Sequence, residues 1–194
     1  MYSMLEYAIE VAGATGAGQD RAAVFTRGDQ VLIVLADGAG GSGKGALAAE
    51  TIVAAVGDAG HEDWSSLLLE LEPGLGGEST AVIVKFGGDR VTGVSVGDSG
   101  AWWIDAAGIL DLTEKQIRKP LVGGECSPFA FRVRGLERGT LLVASDGLFK
   151  YAKPDDIARI ALGADLKAAA LALVDLVRLP TSELQDDVSI VLCR

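Results

Sequence analysis

The stretch Val31–Leu47, VLIVLADGAGGSGKGAL, constrains this chain more than any other. Val31 to Leu35 are apolar without interruption, and Asp37 follows. Gly38, Gly40, Gly41, Gly43 and Gly45 come next, and a helical pattern begins after them. A short apolar run of this kind reads as a buried strand. The glycines let backbone approach a small charged object closely. An aspartate delivered into such a turn is a hard oxygen ligand at a sheet edge. The stretch fits either a phosphate cradle or a metal site, and the rest of the chain has to decide between them.

At 194 residues the chain reads as one domain, residues 1–194, large enough to bury a core. Hydrophobic residues make up 49% and charged residues 23%, which excludes a disordered chain. No apolar run is long enough to span a bilayer, and MYSMLEYAIEV lacks the basic start of a signal peptide. Cys126 and Cys193 are too few and too far apart for a disulfide framework. The expected setting is therefore reducing and cytoplasmic. A net charge of −10 argues against a general partner in nucleic acid or an anionic membrane.

Strands are predicted over Leu5–Ala12, the AAVF segment after Arg21, Val31–Ala36, Thr80–Phe86, Arg90–Val96, Ala101–Ile104, Phe129–Val133, Thr140–Ala144 and Val188–Leu192. Helices are predicted over Lys44–Val56, His61–Leu71, from Pro154 onward, and over Leu166–Leu179. Strands joined by short turns, with helices in two groups, suggest antiparallel sheets covered by helices rather than regular βαβ units.

Four aspartates share one local setting. Asp37 ends VLIVLA, Asp98 ends VTGVSVG, Asp146 ends LLVAS, and Asp186 opens DDVSIVL; Asp20 stands near the start of an early strand. A carboxylate at a strand end beside glycine is placed to point into a cleft at the sheet edge. Several converging there repel one another unless a cation neutralises them. All-oxygen donors suit Mg²⁺ or Mn²⁺ rather than Zn²⁺, and the chain has a single histidine, His61. The competing reading takes Gly38–Gly45, GAGGSGKG, as a near match to the nucleotide-binding pattern G-x-x-x-x-G-K-[ST], with Lys44 reaching phosphates. Gly45 stands where that pattern needs the hydroxyl that holds Mg²⁺, and the pattern leaves Asp98 and Asp186 without a role.

Taken in order, these segments resemble the metal-dependent protein phosphatases (protein phosphatase 2C-like, PPM) of compact bacterial type. Gln19-Asp20 resembles the early acidic motif, ADGAGG the D-G-x-G-G motif, and STAVIV the T-A-V motif. VGDSGAW resembles G-D-S-R, LLVASDGL the S-D-G motif, and DDVSIV the closing D-N-[VI]-[ST]-V. The resemblance implies an α+β fold, an αββα sandwich of two antiparallel β-sheets flanked by helices, with the flap reduced to about Thr113–Ser127. It implies hydrolysis of phosphoserine or phosphothreonine in proteins by a water activated between two Mn²⁺ or Mg²⁺ ions. The partner is then a phosphorylated protein, with a serine/threonine kinase acting in opposition.

Carried over by position, Asp37, Asp146 and Asp186 hold one ion. Asp37 and the Gly38 carbonyl hold the other, with water from the Asp20 neighbourhood. Asp98 matches a third, weaker site. The family's phosphate-binding arginine is missing from GATGAG, which leaves Lys44 and Arg21 as candidates for the substrate phosphate. Gln19 replaces a glutamate and Ala39 a histidine found in some members. Such losses also suit a catalytically weak or inactive metal-binding regulatory module. Of the Trp102-Trp103 pair, strand alternation sends one side chain inward and the other outward.

Overall fold

The computed structural model describes residues 5–40 and 43–194. The strands are β1 (Tyr7–Ala12), β2 (Arg21–Arg27), β3 (Gln30–Ala36), β4 (Gly38–Ala39), β5 (Glu78–Ser79), β6 (Ala81–Gly87), β7 (Arg90–Val96), β8 (Gly100–Asp105), β9 (Gly108–Asp111), β10 (Phe129–Arg134), β11 (Gly139–Ala144) and β12 (Val188–Cys193). The α-helices are α1 (Lys44–Asp58), α2 (Trp64–Leu71), α3 (Asp146–Phe149), α4 (Pro154–Ala161) and α5 (Leu166–Leu176). Two five-stranded antiparallel sheets form, in the orders β1-β12-β11-β8-β9 and β10-β7-β6-β3-β2; β4 and β5 make a separate ribbon.

Three apolar layers account for the architecture. Ile33, Leu35, Val82 and Val84 of one sheet meet Trp103, Leu141, Val143 and Val191 of the other in the middle layer. The alternate residues Leu32, Val34, Ile83 and Val94 turn outward onto α1 and α2. Leu142, Ala144, Ile190 and Leu192 turn outward onto α4 and α5. A strand covered on both faces needs apolar side chains at nearly every position, which is why β3 reads as an apolar run from Val31 and β12 is broken only by Ser189. This is the expected αββα sandwich of an α+β fold.

Several boundaries differ from the sequence expectation. The helix expected from His61 begins at Trp64, because the Asp63 side chain accepts from Ser66 N and caps it there. The helix expected to reach Leu179 ends at Leu176, and Arg178 forms an isolated bridge with Leu184. Strand β9, the β4–β5 ribbon and α3 have four residues or fewer, too short to leave a periodic signal. Alternation holds for the tryptophans: Trp103 is buried edge-on to Phe86, and Trp102 packs on Phe149 of α3. Both cysteines are free and buried, and burial pushes each thiol up to about 12.

Candidate metal centre

Strand register brings the five aspartates to one end of the sandwich. Arg21 pairs with Ala36 across β2 and β3, so Asp20 and Asp37 are the next residues outward on adjacent strands. In the other sheet, Ala144 at the end of β11 lies between Gly100 of β8 and Ile190 of β12. Asp98, Asp146 and Asp186 therefore leave that sheet at a common edge. The connection from β7 to β8 runs between the sheets and carries Asp98, which ties the two edges together.

Asp20 is 1% exposed, and among the described residues neither of its carboxylate oxygens has a hydrogen-bond partner of ordinary geometry. Burial pushes its carboxyl up to about 6, against the lowering effect of the Ser145, Asp37 and Ser189 side chains that face it. Asp37 is pushed up to about 9, first by burial, then by Asp20, with Asp146 and Asp186 adding to the repulsion. Asp146 is raised by burial and then by Asp98, while Lys150 pulls it back. The Lys150 ammonium lies 3.5 Å from Asp146 Oδ2 and 3.5 Å from Asp186 Oδ2. Asp98 is half-buried and lines a cavity of about 200 Å³ with Asp111, Glu114, Arg118 and Phe149.

The backbone around Asp37 is fixed by hydroxyls. Its N–H donates to Thr80 Oγ1 (3.0 Å), and its carbonyl accepts from Thr80 N (2.8 Å) and Ser79 Oγ (2.9 Å). Thr80 Oγ1 in turn shares a 2.7 Å hydrogen bond with Ser99 Oγ. Ser145 Oγ accepts from Ser189 N at 2.9 Å, joining the strand ends that carry Asp146 and Asp186. Asp187 is turned away from the cluster: its carboxylate accepts from Ala14 N (2.7 Å) and Gln19 N (2.5 Å), closing the Gly13–Gln19 turn. Sequence reasoning missed these supporting residues and Lys150. The hydroxyl pair that opens STAVIV was the one available signal.

The glycines of the central stretch serve close packing. A Cβ on Gly38 would stand 2.3 Å from Gly45 C and O, and one on Gly45 would stand 2.6 Å from Ala39 O and from Gln19 Oε1. Position 45 has no room for the serine or threonine of a nucleotide-binding loop. Both neighbours of β3, β2 and β6, are antiparallel to it, so the parallel βαβ setting of that motif is absent there. Gly41 and Ser42, part of the proposed phosphate loop, lie outside the described residues.

The two phosphate candidates differ in placement. Lys44 is exposed at the start of α1. Arg21 turns back on the chain, its Nη1 donating to the carbonyls of Asp20 (2.8 Å) and Gly18 (3.3 Å), and it lines a groove against Glu50 and Val53 of α1. His61 is exposed, its Nδ1 accepting from Asp63 N before α2. The segment after β9 crosses the α2 side as a pinned loop. Val122 bridges to Ser79, and Glu72 accepts from Gly123 N and Cys126 N.

Among the described residues, no three His, Cys, Asp or Glu side chains stand close enough together to share one ion. Like charges hold carboxylates apart, and Lys150 lies between two of them. The donor chemistry nonetheless fits a divalent cation. A buried carboxylate with both oxygens unpartnered and a neighbour carrying the repulsion of three others are the groups such an ion satisfies.

No protein-family model and no curated protein matches the sequence. Solved structures do. A bacterial serine phosphatase, in a substituted form, matches over 98% of each chain with a TM-score of 0.83 at 23% identity. PppA of Pseudomonas aeruginosa, described as a key regulatory component of its T6SS, matches over 100% of this chain and 98% of its own, with a TM-score of 0.80 at 18% identity. The catalytic domain of the serine/threonine protein phosphatase PstP, in complex with two manganese ions, matches over 97% of each chain with a TM-score of 0.76 at 20% identity. The fold is that of the bacterial serine/threonine phosphatases. The resemblance to the metal-dependent protein phosphatases, drawn from the ordered motifs, agrees with it.

Proposed function

We propose that this chain hydrolyses phosphoserine and phosphothreonine in proteins with the help of bound Mn²⁺ or Mg²⁺. The observation that carries the reading is the pair Asp20, buried, and Asp37, half-buried, side by side at the strand ends with no counter-cation paired to either among the described residues. Asp37, Asp146 and Asp186, which stand too far apart in the structure to share an ion, would draw together to hold one. Asp37 and the Gly38 carbonyl would hold a second beside Asp20, and Asp98 would serve a third, weaker site. Such ions supply a bound water of lowered pKa and offset charge on phosphoryl oxygens.

The chain's own residues set the stage for that chemistry. Thr80 and Ser79 hold the Asp37 backbone, and the Ser145–Ser189 bond holds the edge that presents Asp146 and Asp186. Lys44, exposed at the start of α1, is placed to attract the substrate phosphate more readily than Arg21, whose guanidinium is engaged by backbone. Water adds to phosphorus and the serine or threonine oxygen leaves with a proton, giving the free hydroxyl and inorganic phosphate. Neither buried cysteine takes part. The activity would counter a serine/threonine kinase in cytoplasmic signalling.

One observation favours a second reading, a binding role without turnover: no arginine stands in the Gly13–Gly18 turn, where the family carries its phosphate ligand. A single experiment separates the two. Hydrolysis of p-nitrophenyl phosphate and of a phosphothreonine peptide is measured with Mn²⁺, with Mg²⁺ and with chelator, for the wild type and Asp146→Asn. Cation-dependent turnover lost in the variant supports the enzyme. Mn²⁺ binding by calorimetry without turnover supports the binding module.

A further inference from the structure

Lys150 is the residue whose placement the proposed reaction does not use. It follows α3, four residues after Asp146, and its ammonium sits 3.5 Å from one oxygen of Asp146 and 3.5 Å from one oxygen of Asp186. Those carboxylates stand at the ends of two neighbouring strands, β11 and β12. An ammonium that bridges them does in the cation-free protein what a divalent ion would do in the loaded one. Its side chain is 53% exposed, so it can leave for solvent without breaking packing.

We infer that Lys150 is a tethered counter-cation that a divalent ion must displace from Asp146 and Asp186, so that this residue sets the cation concentration at which the site loads. The inference rests on the metal-site reading of those two aspartates. A single positive charge is exchanged for a double one at the same oxygens, so the lysine competes with the ion and cannot assist it there. The same ion pairs steady the cation-free protein, where two carboxylates would otherwise face each other unpaired. The two consequences have opposite signs, and a merely structural lysine would show only the second.

The experiment compares wild type, Lys150→Met, Lys150→Arg and, as a control for general surface charge, Lys153→Met. Mn²⁺ binding is measured by calorimetry on chelator-stripped protein, and thermal unfolding is measured with EDTA and with Mn²⁺. Lys150→Met is expected to bind Mn²⁺ about three- to tenfold more tightly, the range that two half-exposed ion pairs support. It is also expected to unfold at a lower temperature in EDTA. Lys150→Arg keeps the charge and stays near wild type, and Lys153→Met changes affinity by less than about twofold. If wild type binds Mn²⁺ and Lys150→Met binds it equally or more weakly, the counter-cation role is overturned while the metal site stands. An equal gain from Lys153→Met overturns it as well, since the effect is then general charge. If neither wild type nor variant binds Mn²⁺, the site reading and this inference fall together.

Discussion

Replacing Asp37 with asparagine should make the cation-free protein more stable, the reverse of what most substitutions at buried positions do. Burial, then Asp20, then Asp146 and Asp186 push the Asp37 carboxyl from 3.8 up to about 9, and burial pushes Asp20 up to about 6. An acid whose folded pKa is raised holds more protons folded than unfolded between the two values. Its full contribution to stability is therefore present below about pH 4. It is lost as pH rises, through about 6 for Asp20 and toward about 9 for Asp37. At about 1.4 kcal/mol per pKa unit, Asp20 alone accounts for about 3 kcal/mol at pH 8. The two carboxylates repel each other, so neutralising one relieves both and the gains do not add. Asp37→Asn should gain about 2–4 kcal/mol at pH 8 in EDTA, which for a chain of this length is about 5–15 °C in Tm. At pH 5 the unfolded Asp37 is only about one unit above its own pKa, and the gain should shrink to about 1–2 kcal/mol, vanishing below about pH 4. Thermal and urea unfolding followed by circular dichroism at pH 5, 7 and 8.5 would measure it. Excess Mn²⁺ should reverse the order, because only the wild type gains stability by binding. A variant less stable than wild type at pH 8 in EDTA, or the same difference at pH 5 and pH 8, would refute the account of a buried and a half-buried carboxyl in mutual repulsion.

Two further substitutions test the scaffold of the site. Gly38→Ala drives a methyl group into Gly45 C and O, 2.3 Å away, and both atoms are backbone. We expect a loss of about 2–4 kcal/mol in urea unfolding, and wild-type stability would show that the turn has slack. Asp187→Ala removes the acceptor of Ala14 N and Gln19 N. It should cost about 1–3 kcal/mol and speed amide exchange between Gly13 and Gln19, with exchange elsewhere little changed.

Much of this was legible in the chain, for identifiable reasons. Buried strands such as β3 and β12 announce themselves because both faces are covered, and Asp37, Asp98, Asp146 and Asp186 each end or open such a run. What the sequence withheld was pairing. Nothing local says that β3 lies beside β6, or that β12 lies between β1 and β11. Ser145 and Ser189 meet across 44 positions, and Asp187 reaches back across 173. Such residues look like ordinary turn and strand polars until the partner is known. Lys150 was hidden for a different reason. Its i, i+4 relation to Asp146 needs the single helical turn of α3, which is too short to predict, and its second partner lies on another strand.

The link between Asp187 and the Gly13–Gln19 turn also bears on how the protein is made. Among the described residues, strand β1 lies at a sheet edge and pairs with β12 alone. During synthesis, Asp20, Asp37, Asp98 and Asp146 leave the ribosome before the segment that carries Asp186, Asp187 and β12. Until that segment emerges, β1 has no strand to join and the turn beside Asp20 has no carboxylate to close it. Asp186 thus joins the other carboxylates only in the last step of assembly. A nascent chain has no finished site with which to capture a cation or act on its neighbours, and a polypeptide cut short before Asp186 never acquires one.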